Sequence, residues 1–191
     1  MDAPSANDNT NREYDSWFYE HRFEVLLLNE LVRNRIARCS NGGQKRAGVL
    51  DEIEKAFGAG RDGFLFGVSL AGGVLMQRAA RMRLARKQTE RLPLPVGRAI
   101  VAVLCSLASR NQELTDVAHT SDGCTLAASV TFSSLSLPAL LVVGVRRKEN
   151  DSIVEAEVQL PGGVIDWRKS KRILENLYRD IPHFASLDDY L

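Results

Sequence analysis

Residues 141–160 read LVVGVRRKENDSIVEAEVQL. Two apolar-alternating runs flank a short polar stretch, the pattern of an antiparallel hairpin. With Asn150-Asp151 as a two-residue turn, Glu149 faces Ser152. Val145 then opposes Ala156, Val143 opposes Val158 and Leu141 opposes Leu160, all on one side. On the other side Arg146 meets Glu155, an opposite-charge cross-strand pair. Pro161-Gly162-Gly163 ends the hairpin. A sheet with one apolar face needs a second layer to cover it, so the flanking segments decide the fold.

Both flanks supply that layer. Pro93 and Pro95 punctuate an extended RLPLP segment, and Pro95 suits the first turn of a helix that runs to about Arg110. Its core face is Val96, Ile100, Val103, Leu104 and Leu107. Cys124, Leu126, Ala128, Val130 and Phe132 then alternate with Thr125, Ala127, Ser129 and Thr131, a half-buried strand. After the hairpin, Asp166 is a good N-cap for a last helix. Trp167, the stem of Lys171, Leu174, Leu177, Tyr178 and Ile181 would face the sheet. Glu175 and Arg179 are spaced as an i, i+4 pair, and Pro182 is expected to stop the helix.

Residues 89–184 therefore read as an α+β domain, an antiparallel β-meander sheet packed by two helices in two layers. An N-terminal helical extension, residues 12–88, precedes it. Its first helix spans about 12–39, with Phe18, His21, Val25, Leu28, Val32, Arg35 and Cys39 on one face and Trp17, Phe23, Leu26, Leu27 and Leu31 broadening it. Residues 40–45 read as a loop, and a short helix with Ile53 and Phe57 ends at Gly58. Residues 1–11 are polar, Asn-rich and expected to be a disordered tail; 185–191 form a second tail.

The string VIDWRKSKRILENLYRDI, following a strand meander, resembles the end of small bacterial α+β domains of the helix-grip kind. The likeness covers about residues 90–182 and rests on element order and on Asp166, Trp167, Lys169, Ser170 and Arg172. It implies a fold more than a function: many such domains have no assigned activity, and others hold apolar ligands between helix and sheet.

A chain of 191 residues with 45% hydrophobic and 26% charged residues can bury its own core without staples. Net charge is +1, so partner selection must come from local patches. Cys39, Cys105 and Cys124 are odd in number and lack CxxC spacing, which fits a reducing compartment. The N-terminus has no apolar signal core. These features point to the cytoplasm, or alternatively to the inner face of a membrane.

No complete catalytic, cofactor or metal signature is present. Gly58-Ala59-Gly60-Arg61-Asp62-Gly63 matches GxGxxG, but a helix precedes it where a dinucleotide fold needs a strand. It reads as a flexible joint. His21, His119 and His183 lie in different elements without ligand spacing. Cys124 with His119 is the one Cys–His pair near in sequence, and five residues across a turn do not make it a site. No catalytic, cofactor-binding or metal-binding residue is assigned, and an enzyme ranks behind a binding protein.

The segment 63–87, GFLFGVSLAGGVLMQRAARMRLARK, carries the binding expectation. Its first fourteen residues are uncharged and its last eleven hold five cations. Gly63, Gly67 and Ala71 form a small-residue helix-packing edge. A membrane span needs about 20 apolar residues. Arg78, Arg81, Arg83, Arg86 and Lys87 spread round a helix instead of segregating, as in an exposed basic arm. Arg168, Lys169, Lys171 and Arg172 crowd the start of the last helix, where the helix dipole disfavours cations. The whole suggests a non-catalytic binding and assembly protein. It would dock onto a larger complex or self-associate through its N-terminal helices. The basic residues would attract a polyanion, either nucleic acid or an anionic membrane surface. The alternatives are a membrane-associated protein with segment 63–76 inserted and a cytoplasmic C-terminal domain, and a helix-grip binder of an apolar small molecule.

Overall fold

The computed structural model describes residues 16–40, 85–130, 139–159 and 167–186. A 3-10 turn, Ser16–Tyr19, leads to helices α1 (Phe23–Leu28) and α2 (Glu30–Cys39). Then follow β1 (Ala85–Leu92), α3 (Val96–Ser109), β2 (Glu113–Thr120), β3 (Gly123–Val130), β4 (Ala139–Lys148), β5 (Asp151–Gln159) and α4 (Trp167–Ala185). The fold is α+β, with a five-stranded antiparallel sheet in the order β1-β5-β4-β3-β2. Four strands form a meander, and β1 crosses over to close the far edge. The expected loop 40–45, short helix near 53–57, GxGxxG joint, Phe132 and the Asp166 cap lie outside the described residues, apart from Ser40.

Leu126, Leu141, Val143, Val145, Val154 and Ala156 point from the sheet into one continuous core with α3 and α4. α3 differs from the expected one-sided helix. It is buried nearly all round, from Val96 to Ala108, because the N-terminal helices cover the side turned away from the sheet. The two expected layers are thus joined by a third. Trp17, Phe23, Leu26, Leu27, Val32 and Ile36 supply its apolar contacts. α3 ends at Asn111, which takes φ 51; the Asn111 and Gln112 N–H groups bond back to Ala108 and Leu107. Asn tolerates this left-handed conformation, which suits a helix stop.

Five expectations need correction. The helix expected over 12–39 is broken at Asn29, whose backbone is extended while its side chain accepts from the Leu31 and Val32 N–H groups. That capping competes with helix continuation, and it turns Leu28 outward, 59% exposed. The hairpin turn is Glu149-Asn150, with Lys148 opposite Asp151 and Glu149 at φ 58. Val145 therefore pairs with Val154, Val143 with Ala156 and Leu141 with Val158, and Arg146 faces Ile153. A slip of two residues leaves every side chain on its original face, so the apolar pattern alone could not detect it. Arg146 still reaches Glu155 diagonally at 4.0 Å.

In α4, the side chain of Lys171 is exposed, and Ser170 takes the buried place before Leu174, Leu177, Tyr178 and Ile181. Pro182 lies inside the helix, which runs on to Ala185. Glu175 pairs with Lys171 at 3.4 Å, while Arg179 bonds Asn176 at 2.8 Å.

Candidate functional site

The strand that closes the sheet reads ARKQTERL and shows no apolar alternation. Edge strands are commonly charged, which discourages pairing with other chains. Lys87, Thr89 and Arg91 lie opposite Glu157, Glu155 and Ile153. Residues 85–88, expected to end a helical arm, thus belong to the sheet, and the boundary expected between 88 and 89 falls inside β1.

Tyr178 ties α4 to this edge. Its hydroxyl donates to the Gln88 and Val154 carbonyls, at 2.7 and 3.0 Å. β1 begins opposite Gln159, and α4 runs back along β5 from that end. From Tyr178 to Lys171 is about 10 Å along a helix, and from Gln88 to Ala85 about 10 Å along a strand. The first turns of α4 therefore stand level with the start of β1.

This brings two basic clusters, distant in sequence, to one end of the sheet. Arg168, Lys169, Lys171 and Arg172 are exposed there and Arg86, on the helix-covered face, is half-buried; Lys87 is exposed on the opposite face of the sheet. Lys87 pairs with Glu155 at 2.8 Å and Lys171 with Glu175 at 3.4 Å. Exposed pairs of this kind contribute about 0–1 kcal/mol and exchange readily for a better anion. Among the described residues, no acid lies within ion-pair distance of Arg86, Arg168 or Arg172.

Arg78, Arg81, Arg83, Gly63, Gly67 and Ala71 lie outside the described residues. The distal end of the expected basic run is used elsewhere. Arg91, at the far end of β1, pairs with Asp151 at 2.7 Å. Arg98 lies 4.8 Å over the Phe18 ring and donates to the Ala185 carbonyl. Arg98 thereby ties α3 to the N-terminal turn and to the end of α4.

The other chemistry-bearing groups have structural explanations. His119 and Cys124 are direct cross-strand partners, which their separation in sequence did not reveal. His119 Nε2 sits 2.7 Å from Glu24 Oε1. Burial pushes Glu24 up, but the His119 hydrogen bond and further favourable contacts outweigh it and leave the carboxyl below its ordinary value. Cys124 is 1% exposed, and burial, with the nearby Glu24 charge, pushes its thiol up to about 12. A thiol held protonated is not a nucleophile. Among the described residues, no group of three or more His, Cys, Asp or Glu side chains could hold a metal ion. Within the same residues, no helix is long and apolar enough to cross a membrane.

No family model matches this chain, and neither a curated protein nor a solved structure does.

Proposed function

We propose that this protein is a non-catalytic binding protein that docks through the basic end of its sheet onto a phosphate-bearing polyanion. The observation that carries this reading is the placement of Arg86 at the same end of the sheet as Arg168, Lys169, Lys171 and Arg172, with Lys87 on the reverse face of that end. With a net charge of only +1, such clustering is local and directional. In sequence, Arg78, Arg81 and Arg83 immediately precede the strand that delivers Arg86 and Lys87, which adds to the cationic character of this segment. The N-terminal helices spend most of their apolar side chains on α3, leaving Tyr19 and Leu28 as exposed large apolar residues. That favours docking by charge over self-association through those helices. The placement of α4 along β5 and β1 agrees with the helix-grip likeness. The side chains beneath it are packed in the core, which favours a surface contact over an apolar ligand held between helix and sheet.

The test is equilibrium binding to a labelled oligonucleotide and, separately, to vesicles with anionic or with neutral lipids. R168Q/K171Q/R172Q should weaken binding by roughly tenfold or more, as expected for lost phosphate contacts. K148Q, exposed at the hairpin tip at the other end of the sheet, should not. The arm that binds identifies the polyanion. Failure of both arms, or equal loss in K148Q, overturns the reading.

A further inference from the structure

α4 is 19 residues long, Trp167–Ala185, or about 28 Å. Its buried side is Ser170, Leu174, Leu177, Tyr178 and Ile181. The opposite side forms a ridge. At about 100° per residue, Arg168, Arg172 and Arg179 fall within about 40° of one another, with Glu175 beside them and Lys171 on the flank. All five side chains are exposed. From Arg168 to Arg179 is about 16 Å along the axis, so the cations at the end of the sheet continue as a line down the helix.

The charge balance along this line favours an anion. Of the two acids in α4, Glu175 lies on the ridge and has Lys171 3.4 Å away. Asp180 is turned inward, with its side chain 13% exposed, and is held by Arg110 at 2.6 Å and by the Ser106 hydroxyl. The Arg179 side chain is 70% exposed, donates to Asn176 and reaches Asp180 only at 3.8 Å. Asp180 thus has a closer partner, and Arg179 keeps its charge in water.

We propose that the partner is a nucleic-acid duplex whose phosphate backbone lies along the α4 ridge from Arg168 to Arg179, an inference that rests on the polyanion docking proposed above. A line of cations matches a line of phosphates. One strand of a duplex advances about 3.4 Å per phosphate, so about 16 Å spans about five of them. A bilayer fits less well. A helix that lies in a membrane surface turns an apolar face into it, whereas the apolar face of α4 is spent on the core. Among the described residues, the exposed large apolar side chains are Tyr19 and Leu28, both in the N-terminal layer and neither on the ridge. The same observation disfavours a single strand, whose unstacked bases bind on exposed aromatic rings. Cations set along a backbone read no bases, so the sequence of the duplex should matter little.

The test is equilibrium binding of the full chain, over a salt series, to a mixed-sequence DNA duplex, to its separated strands and to phosphatidylserine-containing vesicles. The duplex should be preferred. R179Q should weaken duplex binding severalfold and lower the salt slope by about one. E175Q removes the acid from the ridge and releases Lys171, so it should strengthen duplex binding. A residue that served only the fold would not give that gain. Both side chains are exposed, so both variants should keep an unfolding midpoint close to that of the wild type. Vesicle binding without duplex binding overturns the duplex as partner and leaves polyanion docking standing, as does binding of single strands as tight as that of the duplex. Duplex binding that R179Q and E175Q leave unchanged overturns the ridge and confines the contact to the end of the sheet. Binding to none of the three probes removes polyanion docking itself, and the duplex with it.

Discussion

The carbonyl oxygen of Trp17 lies 2.1 Å from where a β-carbon on residue 97 would stand, so Gly97 is the seat of the N-terminal turn on α3. The Phe18 and Glu20 carbonyls crowd the same point at 2.8 Å. Glycine to alanine in a helix ordinarily gains roughly 0.5–1 kcal/mol. Here the neighbours are backbone, and overpacking of this kind costs about 1–3 kcal/mol. G97A should therefore lose stability in urea unfolding, with a red shift in the emission of Trp17, now 7% exposed. A stabilised G97A would show that the turn does not seat there.

Tyr178 holds α4 to the edge strand by donating to carbonyls of both β1 and β5. Y178F keeps the ring and removes the donor. It should cost about 1 kcal/mol and speed amide exchange in β1 more than in β3. Uniform acceleration across the sheet would place the loss elsewhere.

Asp180 joins α4 to α3, accepting from Arg110 Nε at 2.7 Å and from the Ser106 hydroxyl at 3.0 Å. D180A leaves a partly buried guanidinium and a buried hydroxyl without this acceptor. The expected loss is roughly 1–3 kcal/mol in chemical denaturation. R110A/D180A should recover part of it, since the stranded charge goes too. No recovery would mean that the two residues act separately.

Glu20 accepts from Arg22 and from the His21 and Arg22 backbone N–H groups. The Arg22 side chain is the main cause that lowers its carboxyl from 4.5 to about 2. The unfolded chain thus binds a proton before the folded chain does as pH falls. The stabilising contribution is complete above about 4.5 and is lost as pH drops through about 2. E20Q should flatten the loss of stability on acidification across that window. An unchanged slope of stability against pH would contradict this linkage.

The α+β fold was legible because its signals are local. Alternation in β3, β4 and β5 and the core faces of α3 and α4 follow from the periodicity of strand and helix. Other features were hidden by physics of longer range. The hairpin register keeps the same faces after a slip of two, and only the positive φ of Glu149 marks the actual turn. β1 gave no signal because an edge strand with few core contacts need not alternate. The candidate site was half legible: both basic clusters stood out as composition. Their meeting depends on the crossover that pairs Ala85 with Gln159, which no local pattern encodes.

Docking by the basic end is tested most directly by the salt dependence of binding to the polyanion that the wild-type chain prefers. Each phosphate neutralised by a cation releases counterions, so the logarithm of the binding constant should fall linearly with the logarithm of salt concentration. The account predicts a steep slope for the wild type and a slope shallower by about one for each cation removed among Arg168, Lys171 and Arg172. Binding that is independent of salt, or a slope unchanged in the triple variant, would contradict it.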